Sequence, residues 1–198
     1  DWGPFDEADP VWMQKQIALA AAHGIEVFIF DWYWYSGVKI LHRPLEEGFL
    51  KARNRKQLKY ALMWANHDWI EIHPYKLGAQ RPVLYPGLVT PATFDTVCRH
   101  VIKRYFCHPS YWCIGGCPYF SFYELNCLMQ SFGSLEKTRE ALDHFRKMVK
   151  QAGLPGLHLN AVVWGRPILP NERTPADAAD VVKRLGFDSV TSYVWIHH

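Results

Sequence analysis

The sequence predicts an α/β fold of the (β/α)8 TIM-barrel type, present in part, with about five of the eight strand–helix units. Three observations predict it. Short apolar stretches rich in β-branched and aromatic residues alternate with helical patterns, an order that gives parallel strands and right-handed crossovers. Neither Gly-x-Gly-x-x-Gly nor Gly-x-x-x-x-Gly-Lys-Ser/Thr follows any strand, which argues against a nucleotide-binding sheet. Polar and aromatic residues recur at the C-terminal ends of the strands, the face on which a barrel carries its active site.

Residues 10–23 read as the first helix, with Asp9 as N-cap, Pro10 at its first position and Gly24 as the stop. Residues 25–31, IEVFIFD, read as a buried strand. Residues 41–53 are expected to be helical, 58–65 to be the second buried strand, and 92–106 a helix entered through Thr90-Pro91. Residues 111–114 and 118–123 read as strand pieces joined by the Gly115-Gly116 turn. Ser134 caps a long helix over 134–152, stopped by Gly153, and 157–163 is a further strand. Thr174-Pro175 opens a helix over 174–185, and a strand around 188–193 closes the chain. The stretch 66–91 reads as a long loop shaping the cleft.

Composition narrows the class. The chain has 198 residues, 49% hydrophobic and 21% charged, as in ordinary globular proteins and unlike disordered or fibrous ones. No apolar run reaches the ~18 residues that cross a bilayer, and residues 1–20 do not read as a signal peptide. With 22 Lys and Arg against 19 Asp and Glu, nothing calls for a nucleic-acid partner, and the basic run 51–56 reads as the solvated end of a helix. The unusual feature is 9 Trp, 10 Tyr and 11 Phe. Rings beside polar groups offer the flat apolar faces and polar edges that suit sugars.

The candidate site residues follow from the strand ends. Asp31 ends an apolar strand and is followed by Trp32, Tyr33, Trp34 and Tyr35; a carboxylate among rings is expensive unless hydrogen-bonded or functional. The alternative is an Asp that fixes a loop. Trp34 and Tyr35 offer a sugar platform or rim packing. Asn66, His67, Asp68 and Trp69 form the densest polar group, and alternation places Leu62, Trp64 and Asn66 on one face, expected to point inward. His67 is a candidate acid, base or hydrogen-bond donor. Phe120, Phe122 and Glu124 likewise share a face, and Glu124 is a candidate acid, base or sugar ligand, or else a first-turn helix residue favouring the dipole. Asn160 and Tyr193 end the later strands. Five cysteines leave at least one free thiol; Cys113 and Cys117 could bridge their hairpin, but no Cys-x-x-Cys pair supports zinc, and neither metal nor cofactor is expected.

These strand ends resemble the glycoside hydrolase family 99-like, or WbsX-like, proteins, relatives of the endo-α-mannosidases. The likeness is carried by Phe28–Tyr35, Leu45–Leu50, Ala61–Trp69, His108–Trp112, Pro118–Glu124, Gly153–Asn160 and Gly186–Tyr193, in order along the chain. It implies a (β/α)8 barrel acting on an oligo- or polysaccharide, as a retaining endo-type hydrolase of an α-linked, mannose-like glycan. It also implies two catalytic glutamates in a Glu-Trp-x-Glu-Gly segment, which this sequence does not contain. The expectation is therefore a single barrel domain over 1–198, truncated at both ends, with its main acid and base outside the chain. Glu124 and Asp31 stand as the catalytic candidates within it. The resemblance sets Asn66 where the mannosidases have Glu, Glu124 where they have Asp, and Tyr193 on a strand-end Tyr. Trp34, Tyr35, Asn66, His67, Asp68, Trp69, Asn160 and Tyr193 are then the substrate-binding candidates. A glycosyltransferase of polysaccharide assembly and a non-catalytic glycan-binding domain are the alternatives; compartment and oligomeric state stay open.

Overall fold

The computed structural model describes residues 3–74, 77–78, 80–163 and 178–192. Five parallel strands form one sheet in sequence order: β1 (Val27–Trp32), β2 (Lys59–Trp64), β6 (Cys117–Phe122), β7 (His158–Val163) and β8 (Ser189–Ser192). Between them lie the short β3 (Trp69–Ile70), β4 (Val83–Tyr85) and β5 (Cys113–Ile114). β3 and β4 pair with each other, and β5 pairs antiparallel with β6 across the Gly115-Gly116 turn. The helices are α1 (Pro10–Ala22), α2 (Pro91–Val101), α3 (Leu125–Phe132), α4 (Leu135–Gln151) and α5 (Ala178–Leu185). Parallel strands with helices on one face make a half-barrel.

Local chemistry sets the boundaries. Asp9, Thr90 and Ser134 each accept a backbone N–H from the first turn of α1, α2 and α4, as the sequence predicts. The helix expected over 41–53 is instead a π turn over Pro44–Gly48 followed by a 3-10 turn over Phe49–Lys51. Gly48 has no room for a side chain, because a β-carbon there would drive into the Glu7 carbonyl. The helix expected over 92–106 ends as α2 at Val101 and continues as a π turn over Ile102–Phe106. α3 was not expected: Gly133 stops it at φ 82° and Ser134 at once begins α4. The N-cap expected at Thr174 and the last residue of the strand expected over 188–193 lie outside the described residues.

The two faces of the sheet differ in chemistry. The convex face carries Phe28, Phe30 and Trp32, then Tyr60, Leu62 and Trp64, then Phe120 and Phe122, then Leu159, all in the main core with the helices. Trp64 and Phe122 lie on Phe94 of α2, at 6.1 and 6.4 Å, and Phe120 meets Phe145 of α4 edge-on at 5.6 Å. The concave face carries small and polar groups. Register sets Asp31, Met63, Ser121, Asn160 and Ser189 side by side at one level. Met63, Tyr123 and Val162 form a separate small cluster there.

This corrects the expected parity. Leu62 and Trp64, and Phe120 and Phe122, face the helix layer and not the interior of the barrel. The reason is volume: large rings need the deep space between sheet and helices, and the inside of the barrel admits only smaller side chains. Phe120→Ala is therefore expected to destabilise the fold by about 3–5 kcal/mol. Val190→Ala, on an exposed position of β8, should stay within about 0.5 kcal/mol. Urea midpoints at constant m-value measure both.

Candidate active-site cleft

A cleft of about 610 Å3 opens at the C-terminal ends of β1, β2 and β6. The buried Met63 and Ala65 form its floor, and Asp31 lines it from the outer strand β1, exposed and not buried among rings as the sequence suggests. Tyr33, His67 and Tyr123 stand at the strand ends, and Trp69, Glu71, His73 and Leu84 belong to the wall made by the 66–91 stretch. That stretch is not a bare loop: its two short strands, β3 and β4, stiffen the wall.

The strand ends are tied by one side chain. Asn66 Nδ2 donates to the Glu124 carbonyl at 2.8 Å, and the Glu124 N–H donates to Asn66 Oδ1 at 2.9 Å. The carboxamide thus continues the β2–β6 ladder one step beyond the strands. Asn66 and Glu124 are both buried, so an unmade bond there would carry its full desolvation penalty. Glu124 Oε1 accepts the Asn126 N–H at 2.9 Å and caps α3. Neither Asn66 nor Glu124 lines the cleft; both shape it from beneath.

His67 comes next in the chain and turns into the cleft. Its Nδ1 lies 2.8 Å from the Asp68 carbonyl, which can only accept, so Nδ1 carries the proton. In the neutral ring Nε2 is then an acceptor. Its ring lies 5.2 Å from Tyr123 and 6.2 Å from Tyr33, so aromatic neighbours fix its position. Asp68 Oδ1 accepts the Gly87 N–H at 2.7 Å and holds the far end of the wall against the strand end. Gly87 is required by that approach: a β-carbon would sit 2.5 Å from the His67 carbonyl carbon. The buried Tyr35 hydroxyl donates to the His67 carbonyl at 2.9 Å, and its ring stacks on Tyr85 of β4 at 5.6 Å. Burial, followed by the neighbouring Tyr33 and Asp68, raises the Tyr35 pKa, so this hydroxyl stays a donor. Trp69 stands edge-on to Tyr33 at 5.1 Å.

The candidates divide accordingly. Asp31, His67, Asp68 and Trp69 come together in the cleft. Asn66, Glu124 and Tyr35 support it. Trp34 lies apart, stacked on Trp32 at 5.6 Å and tilted against His100 of α2 at 4.9 Å. Asn160 is buried on the concave face, accepting from Ser121 at 2.8 Å and donating to Ser189 and Thr191 at 2.9 Å each. Tyr193 lies outside the described residues. Tyr33 and Tyr123, at the strand ends, and Glu71 and His73, in the cleft-shaping stretch, also line the cleft, though none of them is among the candidate site residues. Tyr33 and Tyr123 share the alternation of Asp31 and Ser121, a signal that the correct parity would have exposed.

The thiols do not supply a nucleophile here. Cys127 of α3, beneath the cleft, is pushed up to about 12, first by burial and then by Asp68 and Glu124, and stays protonated at neutral pH. Cys113 and Cys117 are free thiols. Among the described residues, no three His, Cys, Asp or Glu side chains gather as metal ligands.

The described strands form a half-barrel with a ring-lined cleft that holds a carboxylate and a histidine at the C-terminal strand ends. The fold is similar to the GH99 endo-alpha-mannosidase from Bacteroides thetaiotaomicron, with TM-score 0.50 and 12% identity over 96% of this chain and 45% of that one. A second structure of that enzyme, in complex with BIS-TRIS-propane, gives TM-score 0.48 and 13% identity, over 96% of this chain and 47% of that one. The chain belongs to the family described as glycosyltransferase WbsX, whose model matches residues 1–193. Two curated relatives, both named uncharacterized protein WxcX, come from Xanthomonas campestris pv. campestris strains B100 and ATCC 33913. Each is 33% identical over 69 residues, which is 35% of this chain and 10% of the relative. The chain thus spans a tenth of those curated proteins and under half of the solved enzyme.

The Asn66 bridge makes a direct prediction. Asn66→Asp keeps the acceptor but presents a carboxylate oxygen to the Glu124 carbonyl, and should destabilise by about 1–3 kcal/mol or more. The thermal midpoint at neutral pH should fall, and lowering pH to protonate the new acid should recover part of the loss. An unchanged midpoint would remove the bridge from the structural argument.

Proposed function

We propose that this chain is the substrate-binding half of a carbohydrate-active enzyme, a retaining endo-type glycoside hydrolase acting on an α-linked, mannose-like glycan. The observation that supports the reading best is the cleft itself. Asp31 and His67 present hydrogen-bonding groups between the rings of Tyr33, Trp69 and Tyr123, which matches the polar edge and apolar face of a sugar. In this reading Asp31 and His67 hold hydroxyls or carry a proton at the reacting sugar, and Trp69 stacks on a pyranose. Asn66, Asp68, Glu124 and Tyr35 set their positions, and Asn160 supports the floor. The principal acid and base belong to a Glu-Trp-x-Glu-Gly segment that the sequence given does not contain.

A second reading, a glycosyltransferase in polysaccharide assembly, is favoured by the description of the family itself. The whole protein incubated with α-mannan oligosaccharides, and separately with nucleotide-sugar donors and a glycan acceptor, separates the two. Hydrolysis supports the first reading and donor-dependent elongation the second. Binding without turnover leaves a glycan-binding domain. In the hydrolase reading, Asp31→Asn should lower kcat/KM by about a hundredfold or more. Trp69→Ala should raise KM by about three- to tenfold, the size of one lost ring contact, with kcat less affected. Wild-type rates for Asp31→Asn would exclude that carboxylate from the chemistry.

A further inference from the structure

The end of the sheet opposite the cleft has a chemistry of its own. β2 begins there, at Lys59, and the segment leading to it, 51–59, reads KARNRKQLK. The π turn after α2 brings Lys103 and Arg104 to the same end. Of the 22 Lys and Arg in the chain, seven lie in these two stretches, and all 19 Asp and Glu lie elsewhere. The rest of the chain is therefore left with 15 cations against 19 acids, and of those acids Glu26 adjoins Lys59, whose N–H donates to the Glu26 carbonyl at 2.8 Å.

The fold joins the two stretches into one surface. Lys59 Nζ donates to the Pro109 carbonyl at 2.9 Å. His108, packed 5.6 Å from the Tyr60 ring, lies in the field of Arg55, Arg104 and Lys59 together. Its Nδ1 accepts the Ser110 N–H at 3.1 Å, so its Nε2 is a donor and adds no acceptor to the surface.

These cations are also unneutralised. Among the described residues, six of the seven make no ion pair, and Arg104 reaches Glu46 only at 4.0 Å, a carboxylate that Lys39 already holds at 2.9 Å. Elsewhere Arg43, Arg99, Arg139, Arg146 and Arg184 each meet a carboxylate within 3.3 Å. A helix C-terminus accounts for cations at Lys103 and Arg104, but not for Arg53 in a turn or Lys59 at a strand start.

We propose that this basic end, formed by residues 51–59 and the turn 102–106, is a peripheral docking face for an anionic phospholipid surface. Seven clustered cations match the number that holds a protein to anionic headgroups. The local rings Tyr60, Tyr105, Phe106 and Tyr111 are buried, and Trp112 is half-buried against Tyr119 at 4.7 Å, which leaves little of the stacking platform that single-stranded nucleic acid uses. The geometry also leaves the cleft free: a membrane at the start of β2 leaves the strand ends beyond Trp64 facing away from it.

Co-sedimentation of the whole protein with vesicles tests this. Binding is expected to equal mixtures of phosphatidylglycerol and phosphatidylcholine, none to phosphatidylcholine alone, with loss as salt rises from about 0.05 to about 0.5 M. The triple variant K51E/R53E/K56E, all at exposed positions, should bind about a hundredfold more weakly with an unchanged melting point. K137E, at an exposed position in the first turn of α4 on the cleft side, should stay within about twofold of wild type, since that cation stands at the other end of the sheet. Should the triple variant not fold, the single K56Q should still bind about fivefold more weakly. Equal binding to neutral vesicles, equal loss from the α4 variant, or tighter binding to duplex DNA or an acidic polysaccharide at the same salt would overturn the proposal.

Discussion

The Asn66 carboxamide is the constraint on which the rest of the site depends. It carries a donor and an acceptor in the spacing of a backbone amide, so it can pair with the Glu124 backbone as another strand would. Through that pair the ends of β2 and β6 are held at a fixed separation. His67 and Asp68 follow directly, and α3 starts from Glu124. α3 in turn brings Ser131, whose hydroxyl accepts the Val89 N–H at 3.0 Å and holds the return of the wall. The cleft is thus built outward from one buried two-bond contact in a low-dielectric setting, where each unmade bond is costly.

The sheet and most helices were legible because their signals are local. The run YALMW is buried throughout as expected, whereas VFIFDW, expected to be buried, forms the outer strand of the described sheet with Ile29 and Asp31 exposed. Asp9, Thr90 and Ser134 announce their helices by side chains that bond their own first turns. Which face of the strands looks inward is not local information. Leu62 and Trp64 differ from Ala61 and Met63 in size more than in polarity, and their destination depends on the depth of the helix layer packed against them. The two short strands of the wall were illegible for a related reason. Ile70, Ile72 and Leu84 are apolar residues whose partners are the rings and open space of the cleft, so they show no core periodicity.

The site residues divide by the same logic. Polar residues one step past a strand, such as Asn66 and Glu124, look catalytic in a sequence because a buried amide or acid has no evident partner. For the Asn66 amide the partner is a backbone group 58 residues away, visible only once the strands are paired; for the Glu124 acid it is the Asn126 N–H that opens α3. Asp31 differs because it stands within β1 on the concave face, level with Ser121 and Asn160, where the barrel leaves room. Trp34, three residues on, spends its ring on Trp32 and His100 instead.

The wall over the cleft is tied to the barrel by hydrogen-bonded anchors. Asp68 holds Gly87, Tyr35 holds the His67 carbonyl, and Ser131 holds Val89. Between those anchors β3 and β4 pair with each other and not with the main sheet. The wall is therefore a separable module whose length and side chains can drift while the barrel beneath stays the same. Relatives that keep these anchors could differ widely in the sugar they grip without any change in how they fold.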